Sequence, residues 1–173
     1  MNDLNLDLII IGFTASLIAG SATGAGALPV LFLKEISDRV LDVMLGFSAG
    51  VMLAASSFSL LIPAIELGGI VVGTTGLAIG ALTLHIIDRY IPHRHFISGP
   101  EGYSVRLARV WLFVLAVTIH NFPEGMAVGV SFGGGDISRG IVIAMAIGLQ
   151  NMPEGLAVAF PLVREGYGRN KAL

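Results

Sequence analysis

Five stretches of this chain, about residues 8–33, 40–65, 70–87, 107–132 and 137–163, are almost wholly apolar. A helix crosses the hydrocarbon core of a bilayer with about 20 such residues, so each stretch is a candidate span. The expected fold is all-α: a polytopic membrane helix bundle of five transmembrane helices, forming one domain over residues 1–173. Composition agrees, because 54% of the residues are hydrophobic and 13% charged, where soluble domains carry about a quarter charged. A net charge of -2 gives no reason to expect a nucleic-acid partner. The absence of cysteine excludes disulfides and thiolate metal sites. Residues 1–7 hold two Asp and no Lys or Arg. They lack the basic start of a cleaved signal peptide, so the first apolar run is expected to remain as a span.

The ten Lys and Arg set the orientation. Lys34 and Arg39 fall between the first two spans, Arg89, Arg94, Arg106 and Arg109 between the third and fourth, and Arg164, Arg169 and Lys171 after the fifth. Arg139 is the exception on the opposite side. Basic loops stay in the cytoplasm, which places the N-terminus outside, the C-terminus inside, and the connection at about residues 88–106 in the cytoplasm. Small residues recur at four-residue spacing in the first span, Gly12, Ser16, Gly20 and Gly24, and similarly in later ones. Such faces let helices pack closely in lipid.

Inside the fourth apolar run stands His120-Asn121-Phe122-Pro123-Glu124-Gly125, and thirty residues on comes Gln150-Asn151-Met152-Pro153-Glu154-Gly155. On a helix His120 and Asn121 stand one turn before Glu124, and Gln150 and Asn151 one turn before Glu154, so each trio shares a side. Pro123 and Pro153 each remove an N–H and should bend the helix where the polar groups lie. Irregular backbone at membrane depth is tolerated where it lines a cavity or is buried in protein, as in the broken helices of transporters.

Glu124 and Glu154 are the acidic residues placed well inside a span, and every Lys and Arg lies in a loop or at a span end. Two unpaired charges of this kind would cost several kcal/mol, at about 2.5–3.5 each. Either the carboxylates are protonated or a cation from outside binds them. The local ligand set favours the cation: the imidazole of His120, the carboxylates of Glu124 and Glu154, and the amide oxygens of Asn121, Gln150 and Asn151. Nitrogen and oxygen donors without sulfur suit borderline divalent ions such as zinc, iron or manganese, and affinity order alone does not choose among them. The site could hold two ions bridged by Glu124 and Glu154.

On these residues the chain resembles the ZIP (Zrt/Irt-like) family of divalent metal transporters, in its bacterial GufA-like branch. That family is marked by His-Asn-x-Pro-Glu-Gly in its fourth helix and x-x-x-Pro-Glu-Gly in its fifth, here His120–Gly125 and Gln150–Gly155. The resemblance implies that His120, Asn121, Glu124, Gln150, Asn151 and Glu154 line a binuclear centre. It also implies zinc uptake into the cytoplasm by alternating access, a homodimer, and a multi-pass location in a bacterial inner membrane. Where many members begin the second motif with His, this chain has Gln150. The family fold has eight helices and the resemblance covers the first five, which implies a chain truncated after the fifth. A non-transporting fragment or membrane subunit of a metal transporter is therefore the alternative function.

An intramembrane metalloenzyme is the third possibility, but no His-Glu-x-x-His pattern supports it, and no enzyme activity is expected. A carrier using the two carboxylates for protons would not need His120 with Asn121 and Asn151. Lesser candidates are the loop pair His93 and His95, which could collect metal ions leaving a pore, Ser56, Ser57 and Ser59 as pore-lining hydroxyls, and His85 with Asp88 as an interfacial pair.

Overall fold

A computed structural model of the protein describes residues 2–90 and 105–173. His93, His95 and the side chain of Asp88 lie outside the described residues. All regular structure among the described residues is helical. Helix α1 (Asn2–Ala27) tightens into a 3₁₀ turn at Leu28–Leu31, where Pro29 stands. Helix α2 (Asp38–Ala54) starts behind Ser37, whose side chain accepts the Val40 N–H. It passes through a π-helical turn, Ala55–Leu61, into α3 (Ile62–Tyr90). Helix α4 spans Val105–Ser131 and α5 Ile137–Arg164, the latter capped by Asp136, whose carboxylate accepts the Arg139 N–H at 3.0 Å.

The apolar stretch Asp38–Ile87 is 50 residues long. As one rod it would measure about 75 Å at 1.5 Å per residue, against a hydrocarbon core of about 30 Å. It is a hairpin instead. Gly69 has φ 82° and ψ 164°, a conformation open to glycine at little cost. Just past it, a Cβ on Gly73 would fall 3.5 Å from the Ile65 nitrogen, whereas eight residues separate by about 12 Å along a straight helix.

Helix directions agree with this. Ala19 meets Gly148 and Thr23 meets Gly155, so α1 and α5 run the same way. Gly12 meets Gly129 while Ser16 hydrogen-bonds Gly125, so α1 and α4 run oppositely. Parallel α1 and α5 need an odd number of passes between them, and a hairpin at Gly69 supplies it. The architecture is a polytopic membrane helix bundle.

Helix α5 is its centre: half of its apolar window is buried, against 6–11% for the other long helices. A helix packed on several sides is apolar nearly all round, which explains why the polar groups of α5 stand out. Two apolar clusters grip it. Ala19, Val128, Phe132, Ile143 and Ile147 form one, and Ala27, Val30, Leu41, Leu156 and Phe160 belong to the other. Along α5 the segment Gln150–Glu154 lies between them. By contrast, α3 beyond Gly69 leaves Ile70, Val71, Val72, Leu77, Ile79 and Leu82 exposed, as lipid-facing side chains are. The small-residue stripe of α1 packs unevenly: Gly12 and Ser16 engage α4, while Gly20 and Gly24 face open space. The tighter seam, with α5, runs through Thr23 and Gly26, off that stripe. A Cβ at Gly26 would sit 2.0 Å from the Met152 carbonyl oxygen, and one at Gly155 would sit 1.8 Å from that of Thr23.

Candidate metal site

Among the described residues, the buried polar and charged side chains are Ser48, Glu124, Gln150, Asn151 and Glu154. They gather at one level of the bundle, between the two apolar clusters, and no Lys or Arg is among them. Glu124 and Glu154 are 8% and 4% exposed. Two buried like charges without a basic partner are costly unless something cationic joins them.

Each carboxylate has one oxygen engaged. The Gln150 amide donates to Glu124 Oε1, and His120 Nε2 lies 3.5 Å from the same atom. Ser48 Oγ donates to Glu154 Oε1 at 2.7 Å. The remaining oxygens, Glu124 Oε2 and Glu154 Oε2, are buried without a hydrogen-bond partner. So are Asn121 Oδ1, Gln150 Oε1, Asn151 Oδ1 and Thr23 Oγ1. Apart from the Thr23 hydroxyl, these are amide oxygens, which can only accept, and carboxylate oxygens, which can only accept when ionised. Native interiors leave few buried polar atoms unpaired, and an ion is one standard reason when they do. A surplus of acceptors is the pattern a cation satisfies.

Two cavities flank this layer. One, of about 210 Å³, is lined by His120, Glu124 and Gln150 together with Met52, Ser56, Leu60 and Leu84. The other, of about 330 Å³, is lined by Ser48, Met52, His120 and Glu154 among others. Met52 and His120 belong to both, and Met52 Sδ touches His120 Nε2 at 2.8 Å. The imidazole thus lines both cavities, one bordered by Glu124 and the other by Glu154. The π-helical turn contributes Ala55, Ser56 and Leu60 to the first cavity. Single π turns of this kind concentrate at functional sites.

The structure does not gather every sequence candidate at one point. His120, Glu124, Gln150 and Glu154 share the central layer. Asn121 borders a groove with Gly12, Ser16 and Gly125 on the α1 side, because one residue along a helix turns the side chain about 100°. Asn151 is buried, and its amide donates to the Ala19 carbonyl at 2.9 Å, which also faces it toward α1. Among the described residues no group of three His, Asp or Glu is close enough to hold a metal as it stands. Of the serine candidates Ser56 lines a cavity; His85 is exposed on α3. Ser48 and Met52 are additions from the structure. Their spacing on α2 matches one helix face leading to Ser56, a signal that was present but indistinguishable from packing.

A family model described as ZIP Zinc transporter matches residues 93–173, a range that contains both motif copies. The chain is 44% identical over 131 residues to the zinc transporter ZIPB of Bordetella bronchiseptica, covering 70% of this chain and 42% of that protein. It is 42% identical over 144 residues to the zinc transporter GufA of Myxococcus xanthus, covering 78% and 57%. The chain belongs to the ZIP family. A third relative, the zinc transporter ZupT of Escherichia fergusonii, is 40% identical over 155 residues, 85% of the ZIP chain and 60% of the relative. The ZIP chain spans about half the length of the relatives it matches. Its family is one of transporters, which answers the metalloenzyme alternative, and each of these three relatives is named a zinc transporter.

Proposed function

We propose that this ZIP chain carries the mid-membrane site through which a divalent metal ion, zinc before iron, manganese or cadmium, passes into the cytoplasm. The observation that carries it is the layer of buried, unpartnered acceptor oxygens on Glu124, Gln150 and Glu154, with no basic side chain buried beside them among the described residues. His120 supplies the nitrogen donor that zinc prefers.

Two neighbouring positions for the ion, one at Glu124 and one at Glu154, are supported by the two cavities that share His120. The free oxygen of each carboxylate is the hand-over point, and the imidazole turns from one to the other by releasing Met52. The N-outside orientation rests on the basic residues of the loops, and inward direction and a homodimer in a bacterial inner membrane rest on the family resemblance. Accumulation of zinc by cells expressing the protein tests the proposal. Glu124→Ala and Glu154→Ala are each expected to abolish it, and accumulation unchanged in both variants, at equal protein levels, would refute it.

A further inference from the structure

Hydroxyls inside membrane helices usually bond the carbonyl one turn back, and several in this chain follow that habit, though Ser16 crosses to the Gly125 carbonyl. Thr14 bonds the Ile10 carbonyl, Thr74 that of Ile70, Thr83 that of Ile79 and Thr118 that of Val114. Ser48 departs from it. Its hydroxyl crosses from α2 to α5 and donates to Glu154 Oε1 at 2.7 Å, and the residue is 1% exposed.

The bond has a consequence for coordination. One oxygen of Glu154 is held by a donor on a different helix, and the other, Oε2, is buried without a partner. Both residues line the cavity that His120 also enters. A carboxylate anchored in this way offers an ion one oxygen, not two. Zinc, small and commonly four-coordinate, is satisfied by single oxygens and nitrogens. Larger divalent ions such as cadmium take more ligand atoms and gain from a carboxylate that opens to bind through both oxygens.

We propose that Ser48 is a positioning residue that keeps Glu154 a one-oxygen ligand, and that it thereby favours zinc over larger divalent ions. The proposal rests on the metal-site function given above. Outer partners of ligating carboxylates typically change metal affinity by about 10–100-fold when removed.

The test is equilibrium competition of zinc and of cadmium against a chromophoric chelator, on the whole protein in lipid nanodiscs. Wild type is compared with Ser48→Ala, Ser48→Thr, Glu154→Gln and the double variant Ser48→Ala/Glu154→Gln. Ser48→Ala is expected to weaken zinc binding about tenfold and cadmium much less, so the zinc-to-cadmium preference falls. Ser48→Thr, which keeps the hydroxyl, is expected to restore it, and Ser48→Ala is expected to add nothing in the Glu154→Gln background. Equal loss for both metals, loss that persists without the Glu154 carboxylate, or no loss at all overturns the proposal while leaving the metal site standing. Zinc binding that is indifferent to Glu154→Gln overturns the metal site, and the role of Ser48 with it.

Discussion

The two copies of the motif, His120–Gly125 and Gln150–Gly155, differ in how the bundle holds them. The second copy is walled in: Gln150, Asn151, Pro153, Glu154 and Gly155 are all buried. In the first copy Glu124 is buried, but the His120 side chain is 43% exposed and Phe122 faces outward. The cause is position in the bundle. Helix α5 packs against α1, α2 and α4, whereas α4 packs against α1 and α5 and touches α2 where Met52 meets His120. The embedded copy is therefore fixed by its packing, and the peripheral copy leaves the His120 imidazole room to move.

The glycines expose this contrast most sharply. Gly155→Ala would drive a methyl into the Thr23 carbonyl, 1.8 Å away, while Gly125 has nothing within 4 Å of the same point. Overpacking of this kind costs about 1–3 kcal/mol or more. In thermal unfolding in detergent, Gly155→Ala is expected to lower the midpoint strongly or prevent folding. Gly125→Ala is expected to be neutral or stabilising by up to about 1 kcal/mol, from helix propensity. Similar behaviour of the two variants would break the comparison.

Exchanging the leading residues separates chemistry from packing. His120→Gln removes the imidazole and is expected to weaken zinc binding by about 10–100-fold, read by chelator competition, with little effect on unfolding. Gln150→His introduces a stronger zinc donor beside Glu124 and is expected to shift preference toward zinc. Because Gln150 is 1% exposed and its amide donates to Glu124, the same change should also lower stability by about 1–3 kcal/mol. Stability left untouched would mean that the second copy is looser than its burial implies.

The smallest expected effect is at the seam between α1 and the first copy. Ser16 Oγ donates to the Gly125 carbonyl at 2.8 Å, and Ser16→Ala should cost about 0.5–1.5 kcal/mol in unfolding. Zinc affinity should stay within about twofold, since that bond lies on the far side of α4 from the carboxylate cavities. A large change in zinc affinity would place the α1 groove, and Asn121 in it, inside the working site.

Much of this was legible in the chain because its terms are local. Helical spans follow from apolar length, and a carboxylate one turn from an imidazole follows from 100° per residue. The missing counter-charge followed from counting Lys and Arg. Less could be read of the neighbours across helices. Ser48 and Glu154 are 106 residues apart, and Met52 and His120 are 68 apart, so no spacing announces either pair. The π-helical turn at Ala55–Leu61 was also hidden, since nothing in Ser-Ser-Phe-Ser distinguishes an i+5 hydrogen bond from an i+4 one.

By itself, then, the sequence determined that this protein lies in a membrane and that Glu124 and Glu154 sit there without a basic partner, because hydropathy and charge are properties of residues one at a time. The tertiary structure decided which oxygen of each carboxylate is tied down and which is free. It turned Asn121 and Asn151 toward α1, placed His120 between two cavities and brought Ser48 to Glu154. Those outcomes depend on how closely the backbones approach, which at Gly26 and Gly155 is the distance from one helix to a carbonyl of the next.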